Sequence, residues 1–276
     1  MTATVRPTFD RPLAVIGGGS MAEAIVLGAR QSGALTAEVC VADPNTDRHP
    51  VFGGGVRSAT EAIEWLDTRP SNAAILLAIK PQVLDEVGEE IGHAVGDRLV
   101  ISILAGCGTD RVRHAMGGRC PVVRAMPNTP AFVGRGTTAI AVGPAAADAE
   151  TAAAESLFRG VGSVVVRLDE SLIDAFTGVA GSGPAYLFYL AQAMEKAAVD
   201  LGLPAADAGT IVAETLAGAA ELLRRSGDPP AVLRSRVTSK GGTTAAATTV
   251  FDQAGFMATV VRAITAARDR GRELGG

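Results

Sequence analysis

The chain has 276 residues, of which 47% are hydrophobic and 4% aromatic, with a formal net charge of −4 and a pI near 5.5. A chain of this length forms one large domain or two of ordinary size and buries a substantial core. The acidic balance excludes the basic footprint of a nucleic-acid-binding protein, and no apolar run approaches the ~20 residues of a membrane span.

Cysteine usage and the first residues indicate the cellular compartment. The three cysteines, Cys40, Cys107 and Cys120, are odd in number and lack metal-ligand spacing. They indicate buried small side chains in a reducing compartment, with no metal site. Residues 1–10 contain no apolar core of a signal peptide, so we expect a flexible N-terminal tail. Together these features predict a soluble cytoplasmic protein.

The first ordered stretch has the sequence of a strand, a tight turn and a helix. Apolar residues Leu13–Ile16 run into a glycine cluster, and an Ala-rich segment, 22–30, follows. Gly17 permits the turn, Gly19 allows a ligand to approach the backbone, and Ala22 lets the helix pack closely on the strand. The helix start offers free N–H groups to a pyrophosphate. Taken alone, G-x-G-x-x-A also occurs in ordinary strand–helix turns.

The following segments alternate between strands and helices. The predicted strands are 38–42, 73–79, 98–104, 121–126, 137–142 and 162–166, and predicted helices include 82–94 and 145–159. The unbroken apolar run at 73–79 is typical of a parallel sheet buried on both faces. This alternation predicts an α/β fold, a Rossmann-like doubly wound sheet over residues 11–168 that binds ligands at the carboxyl ends of its strands. The context makes the glycine turn a predicted dinucleotide site.

Turn and polar residues follow these strands at that edge. Asp43 closes the second strand 26 residues after Gly17, near the ~20-residue spacing of the acid that binds ribose hydroxyls. Lys80-Pro81, Ala105-Gly106 and Met126–Pro130 follow the next strands in turn. Each has a simpler explanation, since Asp43 can cap a turn and prolines shape loops. Because all of them end strands of one sheet, a shared site is the better account.

From residue 169 onward the pattern is helical and predicts an all-α domain, 169–276. Apolar residues recur at helical spacing over 186–201 and 211–223, and 245–274 is predicted helical with a break at Gly255. The Ala- and Gly-rich faces of this domain leave apolar surface to spare. We therefore expect it to pack against a second copy of the chain with cyclic symmetry.

A second chemical signal is the turn Gly241-Gly242-Thr243-Thr244, which opens a predicted helix. Its backbone N–H groups and two hydroxyls form a concave anion site suited to a carboxylate. The simpler alternative is a plain threonine helix cap. Hydrogen bonds to a charged group contribute roughly 1.5–3 kcal/mol each, so a pair of them would set much of the affinity of a small substrate.

Several of these motifs coincide in one family. From Leu13 to about Leu274 the chain resembles pyrroline-5-carboxylate reductase. The shared motifs are Ala78-Ile79-Lys80-Pro81, Ala125-Met126-Pro127-Asn128-Thr129-Pro130, Gly181-Ser182-Gly183-Pro184-Ala185-Tyr186, Gly202-Leu203-Pro204, Gly241-Gly242-Thr243-Thr244, Gly255-Phe256 and Arg272-Glu273-Leu274.

The resemblance implies a Rossmann domain followed by a helical dimerisation and substrate-binding domain, in a homodimer or a decamer. It implies hydride transfer from NADPH or NADH to the C=N bond of 1-pyrroline-5-carboxylate, giving L-proline, with neither nucleic acid nor membrane as partner. By position it implies that Gly17, Gly19, Ser20 and Met21 hold the pyrophosphate, that Ala78, Lys80, Pro81 and Ala105 lie along the nicotinamide half, that Ser239, Thr243 and Thr244 receive the substrate carboxylate, and that Glu170 lies near the substrate ring.

Two positions depart from the family pattern. Members often carry Ser, Thr or Asn at the position of Asp43, and an acid there favours a free ribose hydroxyl over a 2′-phosphate. Arg48 and Arg57 could offset this charge, so NADH and NADPH both stay open as cofactors. Lys240 replaces the proline of the family's Ser-Pro-Gly-Gly turn, which loosens the loop and adds a cation. We expect the function to survive that change.

Two other functions compete with this one. A two-domain NAD(P) dehydrogenase acting on β-hydroxyacids needs a lysine in the first helix of its second domain, and Lys196 lies deep within that helix. A non-catalytic dinucleotide-binding scaffold would not need a second anion site. His49, His93 and His114 are expected to be ordinary surface residues. The proton donor is left open between the Thr244 hydroxyl, water and an already protonated substrate.

Overall fold

The structure is a computed structural model that describes residues 7–274. It contains two compact units. The second is Gly183–Thr265, and the first contains the chain up to Ser182 and again from Ala266. The division into units thus falls later than the predicted boundary between residues 168 and 169, and the end of the chain returns to the first unit.

The first unit is built on a seven-stranded sheet. Its strands are β1 (Leu13–Ile16), β2 (Val39–Ala42), β3 (Ala74–Leu77), β4 (Leu99–Ser102), β5 (Val122–Met126), β6 (Thr137–Val142) and β7 (Val164–Arg167). They lie in the order β2-β1-β3-β4-β5-β6-β7, and all neighbours are parallel except β5 and β6. Because β1 has β2 on one side and β3 on the other, the ligand crevice of a doubly wound sheet lies at its carboxyl end. The predicted α/β fold is confirmed.

Helices cover both faces of this sheet. They are α1 (Ser20–Gln31), α2 (His49–Phe52), α3 (Ala59–Asp67), α4 (Leu84–Val95), α5 (Thr109–Ala115), α6 (Asp148–Arg159) and α7 (Ile173–Phe176). In α1 the buried residues Ala22, Ile25, Val26 and Ala29 recur at helical spacing, so one stripe packs on the sheet. Residues of α1 and α6 share one apolar core, and residues of α3 and α4 share the other.

The segment after β7 belongs to the first unit because its side chains are tied to the sheet. Ile173 is buried in a small cluster with Met126, Ala139 and Ala141. Asp174 contacts the buried Arg124 of β5, with Oδ1 and Nη2 3.3 Å apart. These contacts are long-range in sequence, so helical periodicity does not reveal them.

The second unit contains α8 (Gly183–Asp200), α9 (Ala205–Ser226), α10 (Pro230–Arg236) and α11 (Thr243–Gln253). The last helix, α12 (Phe256–Leu274), begins in the second unit and ends in the first. The predicted break at Gly255 is confirmed, since this residue has φ +65°. Its end in the first unit carries Gly271, which is buried, and a Cβ there would lie 3.7 Å from Asp174 Oδ1.

The predicted flexible tail is corrected at Phe9. This side chain is buried, and its backbone N–H donates to Ala34 O at 2.6 Å. An apolar ring of this size gains from burial in the core beside α1, which the polar residues around it obscure in the sequence. Residues 1–6 of the predicted tail lie outside the described residues. Cys40, Cys107 and Cys120 are all buried and unpaired, as predicted.

Within residues 7–274 no helix is both long and apolar enough to cross a membrane. The same range contains no group of three or more His, Cys, Asp or Glu side chains placed to hold a metal ion.

Candidate active site

The glycine turn follows β1 with the geometry that a dinucleotide site needs. Gly17 has φ +100°, and a Cβ there would lie only 2.6 Å from Ala78 O, so a side chain is excluded by conformation and by space. Gly19 caps α1 without a side-chain hydrogen bond, and a Cβ on it would meet nothing within 4 Å. Gly19 and Ser20 are exposed and no side chain caps the helix, so the first N–H groups of α1 suit an anion.

Two side chains from the segment after β2 hold the peptide of Gly18. Asp43 Oδ2 accepts from Gly18 N at 2.6 Å, and Arg48 Nε donates to Gly18 O at 2.8 Å. The other carboxylate oxygen of Asp43 accepts from Asn45 N at 2.8 Å. Arg48 Nη2 in turn lies 2.7 Å from Glu23 Oε2 on α1. The turn is thus fixed from both sides before any ligand binds.

The expectation that His49 is an ordinary surface residue is wrong. Its ring is half-buried, and Nε2 lies 2.9 Å from the backbone oxygen of Asp43. His49 is a part of the site that sequence patterns missed, and Arg48, expected only as a possible counter-charge to Asp43, contacts Gly18 O and Glu23. These side chains come from two short helical turns after β2 and reach back to Gly18 and Asp43, and no residue spacing indicates such contacts. His93 and His114 are exposed, as expected.

The residues expected along the nicotinamide half follow β3 and β4. Ala78 is half-buried, and its N–H donates to Ile16 O at 2.8 Å. Lys80 is exposed and precedes a 3₁₀ turn that Pro81 opens. Ala105 packs against the cluster around Ile173. All four lie at the carboxyl edge where the glycine turn also lies.

Glu170 is engaged within the first unit. Its carboxylate accepts from Thr109 N at 2.6 Å and from Thr109 Oγ1 at 2.9 Å. Arg124 Nη1 lies 3.6 Å from Glu170 Oε1. The sequence held one signal for this network, since Arg124 is a charged residue in an otherwise apolar predicted strand.

In the second unit, the predicted anion turn has an open helix start. Gly241 has φ +73°, and Gly242 N donates to Ser239 O at 3.0 Å. Gly242 then caps α11 without a side-chain hydrogen bond. Thr243 is exposed and Thr244 half-buried, and the first N–H groups of α11 have no side-chain cap. The alternative of a plain threonine cap is not what the structure shows, because neither threonine occupies the capping position.

The other candidate lysine does not form a site. Lys196 is on the exposed surface of α8, where Nζ lies 2.6 Å from Asp200 Oδ2. An exposed lysine paired one helical turn away is typical of a solvated helix face.

A doubly wound sheet with an unobstructed glycine turn after its first strand defines a dinucleotide-binding protein. Comparison with known families agrees. Residues 12–106 match the family described as NADP oxidoreductase, coenzyme F420-dependent. Residues 170–274 match the family described as pyrroline-5-carboxylate reductase dimerisation.

Relatives cover the chain almost end to end. The pyrroline-5-carboxylate reductase of Synechocystis is 39% identical over 272 residues, covering 95% of this chain and 98% of the relative. That of Escherichia coli is 35% identical over 273 residues, covering 96% and 99%. The chain belongs to the pyrroline-5-carboxylate reductase family.

Solved structures show the same fold. A Coxiella burnetii pyrroline-5-carboxylate reductase has a TM-score of 0.83 at 32% identity, covering 96% of this chain and 98% of that one. A Plasmodium falciparum pyrroline carboxylate reductase with NADP bound has a TM-score of 0.88 at 24% identity, covering 98% and 100%.

Proposed function

We propose that this chain reduces 1-pyrroline-5-carboxylate to L-proline by hydride transfer from NAD(P)H to the C=N bond, as the last step of proline biosynthesis. The observation that carries the proposal is the pair of open anion sites in one chain of this family. One is the glycine turn before α1, and the other is the uncapped start of α11. The first suits the pyrophosphate of a dinucleotide and the second suits the carboxylate of a small substrate.

The glycine turn supports the cofactor assignment. Gly17 and Gly18 fix its shape, and Gly19, Ser20 and Met21 present backbone N–H groups to a pyrophosphate. We place the nicotinamide half beside Ala78, Lys80, Pro81 and Ala105. When bound, NAD(P)H supplies the hydride. The NADP in the Plasmodium falciparum relative is consistent with a dinucleotide in this turn.

We further propose that NADH is preferred over NADPH. Glu23, Asp43 and Arg48 lie together at the turn, and two carboxylates there outweigh one guanidinium. Arg48 is already committed to Glu23 and to Gly18 O. A 2′-phosphate would approach a fixed negative charge with no uncommitted cation from this cluster to meet it.

The chain's contribution to the reaction is orientation. We propose that Ser239, Thr243 and Thr244 hold the substrate carboxylate at the start of α11. Orientation of two bound reactants lowers a barrier by up to about 7–11 kcal/mol when the geometry is ideal. A protonated imine accepts hydride more readily than a neutral one. The proton comes from the Thr244 hydroxyl, from water or from the substrate itself, and a pH profile of the Thr244→Ala variant separates the first from the others.

We propose that the chain works as a cytoplasmic homodimer. The second unit exposes large apolar side chains that a soluble monomer rarely leaves in contact with water. They include Leu187, Phe188, Leu201, Ile211, Leu222, Val250, Phe251, Met257 and Val261. The match to a dimerisation family over 170–274 supports burial of this surface by a second copy. Light scattering measures the mass in solution and separates a dimer from the decamer that the resemblance implies. Unpaired buried thiols and a net charge of −4 support a reducing compartment and partners other than nucleic acid or membrane.

The decisive experiment follows cofactor oxidation by absorbance with 1-pyrroline-5-carboxylate, using NADH and NADPH in turn. We expect saturable oxidation of both, with the larger kcat/KM for NADH. Cofactor binding without oxidation would identify a scaffold. If NADH or NADPH is oxidised in the presence of the oxidised form of a β-hydroxyacid, but not in the presence of the pyrroline, the chain is the alternative dehydrogenase.

A further inference from the structure

A buried charge lies in the middle of the sheet. The side chain of Arg124 on β5 is 4% exposed, with Nη1 3.6 Å from Glu170 Oε1 and Nη2 3.3 Å from Asp174 Oδ1. Within residues 7–274 its Nε is buried without a hydrogen-bond partner. A buried charge is costly unless it is paired. The two carboxylates therefore hold residues 170–174 against the sheet.

Glu170 does more than pair with Arg124. Both of its oxygens accept hydrogen bonds from Thr109, one from the backbone N–H at 2.6 Å and one from the hydroxyl at 2.9 Å. Thr109 is the first residue of α5 and is 3% exposed. The N-cap residue of α5 is Gly108, which has no side chain that could accept a hydrogen bond from the first N–H groups of the helix. Glu170 thus caps α5 from a distant part of the chain.

This cap fixes a loop that matters for the cofactor. Residues 103–108 connect β4 to α5 at the carboxyl edge of the sheet, and the part next to α5, residues 105–108, is called the 105–108 loop. Glu170 holds one end of the loop through Thr109. The other end, Ala105, packs against the cluster that contains Ile173. Glu170 therefore holds the α5 end of the loop, and the apolar cluster to which Ile173 belongs lies against the other end.

We propose that Glu170 is a positioning residue that holds the 105–108 loop against the nicotinamide half of the cofactor, and that it does not carry the proton of the reaction. The proposal rests on the proposed function for the identity of the cofactor. It replaces the role near the substrate ring that family resemblance implied. Each oxygen of the carboxylate already accepts a hydrogen bond from Thr109, so both oxygens are engaged at the start of α5.

The test compares two substitutions at this position. Gln at 170 keeps an oxygen for Thr109 N and an amide next to the hydroxyl, so Glu170→Gln preserves the geometry without the titratable group. Glu170→Ala removes both contacts. We expect Glu170→Ala to raise the KM and the Kd for NADH about tenfold, the effect of losing about 1.4 kcal/mol of charge-assisted hydrogen bonding. We expect Glu170→Gln to recover most of that loss and to keep the pH profile of kcat.

Asp174→Asn is the matched control. It removes the other carboxylate from Arg124 and leaves Thr109 untouched. We expect Asp174→Asn to lower Tm as Glu170→Ala does, because each variant leaves the buried charge of Arg124 with one carboxylate fewer. We expect the KM for NADH to stay within about twofold of wild type, since no contact to the 105–108 loop is lost.

Three results would overturn the proposal. The first is a loss of kcat in Glu170→Gln with one limb of the pH profile missing, which would make Glu170 the proton carrier. The second is an unchanged NADH affinity in Glu170→Ala. The third is an equal loss of affinity in Asp174→Asn. NADH binding is measured by fluorescence without substrate, so this arm decides the role of Glu170 even if the pyrroline is not reduced.

Discussion

Replacing Asp43 should change which cofactor the enzyme uses. Asp43 Oδ2 is held 2.6 Å from Gly18 N, so its charge cannot swing away when a ligand binds. With a 2′-phosphate about 5 Å away and an effective dielectric of about 40, each pair of unit charges costs about 1.7 kcal/mol. A phosphate carries about −1.5 to −2 charges, and Arg48 offsets part of the repulsion. A net penalty of about 1.5–2 kcal/mol corresponds to a preference of roughly 10- to 30-fold.

The assay measures kcat/KM for NADH and NADPH with Asp43→Asn and Asp43→Ser. Asn keeps an oxygen for Gly18 N and removes only the charge, so the NADPH-to-NADH ratio should rise by about the factor given above. Ser removes the charge and shortens the side chain, so the ratio should rise while activity with both cofactors falls. Asp47→Asn is the matched control, because Asp47 is an exposed acid in the same segment. An unchanged ratio in both Asp43 variants, or an equal change in the control, would refute the reasoning.

The remaining predictions test the other parts of the molecule. The double variant Thr243→Ala/Thr244→Ala should raise the KM for the pyrroline at least tenfold and leave the KM for NADH unchanged, since it removes hydrogen bonds to a charged group worth about 1.5–3 kcal/mol each; a wild-type KM would rule out the carboxylate site. Gly17→Ala places a Cβ 2.6 Å from a backbone oxygen at φ +100°, so Tm and NADH binding should fall by more than in Gly33→Ala, which has φ +74° and open space. Burial raises the pKa of the Cys120 thiol to about 11, so thiol reagents at pH 8 should modify it quickly only in denaturant. Because the pKa of Cys120 is higher in the folded than in the unfolded chain, its contribution to stability is fully present below the unfolded pKa of ~8.5 and is lost as the pH rises toward the folded pKa. Thermal melts between these two pH values should show a falling Tm.

Local patterns were enough to predict the sheet. All of the predicted strands are present: Leu13–Ile16 and Thr137–Val142 have the predicted bounds, and the ends of the others differ by a few residues. A strand is indicated by an apolar run bounded by turn residues, which is a local pattern, so it can be predicted without knowledge of the tertiary structure. The helix α3 was missed although its start carries a capping box, in which Ser58 and Glu61 bond each other's backbone N–H. Only one of its faces is apolar, and it is too short for periodicity to stand out.

Sequence patterns predicted the site residues whose role depends on their place in a turn or at a strand end. They did not predict the contacts that side chains make with residues distant in sequence. Gly17 is needed because of the turn it occupies, and its neighbours in sequence show that. Asp43 ends a strand at a recognisable spacing. Arg48 and His49 act by reaching back to Gly18 and Asp43, which depends on side-chain conformations that no spacing encodes. The link from Glu170 to Thr109 joins residues 61 positions apart, and only the folded sheet brings them together.

The return of α12 to the first unit makes the helical unit an insertion within the nucleotide-binding unit rather than an appendage to it. A fragment that stops at residue 168 would expose the apolar cluster that Ile173 covers and would leave Arg124 in the sheet without either carboxylate. It would also lack Gly271, which lies beside Asp174. During synthesis, the nucleotide-binding unit is therefore completed only after the whole helical unit has emerged. Limited proteolysis should release the interior helices more readily than an independently stable N-terminal half.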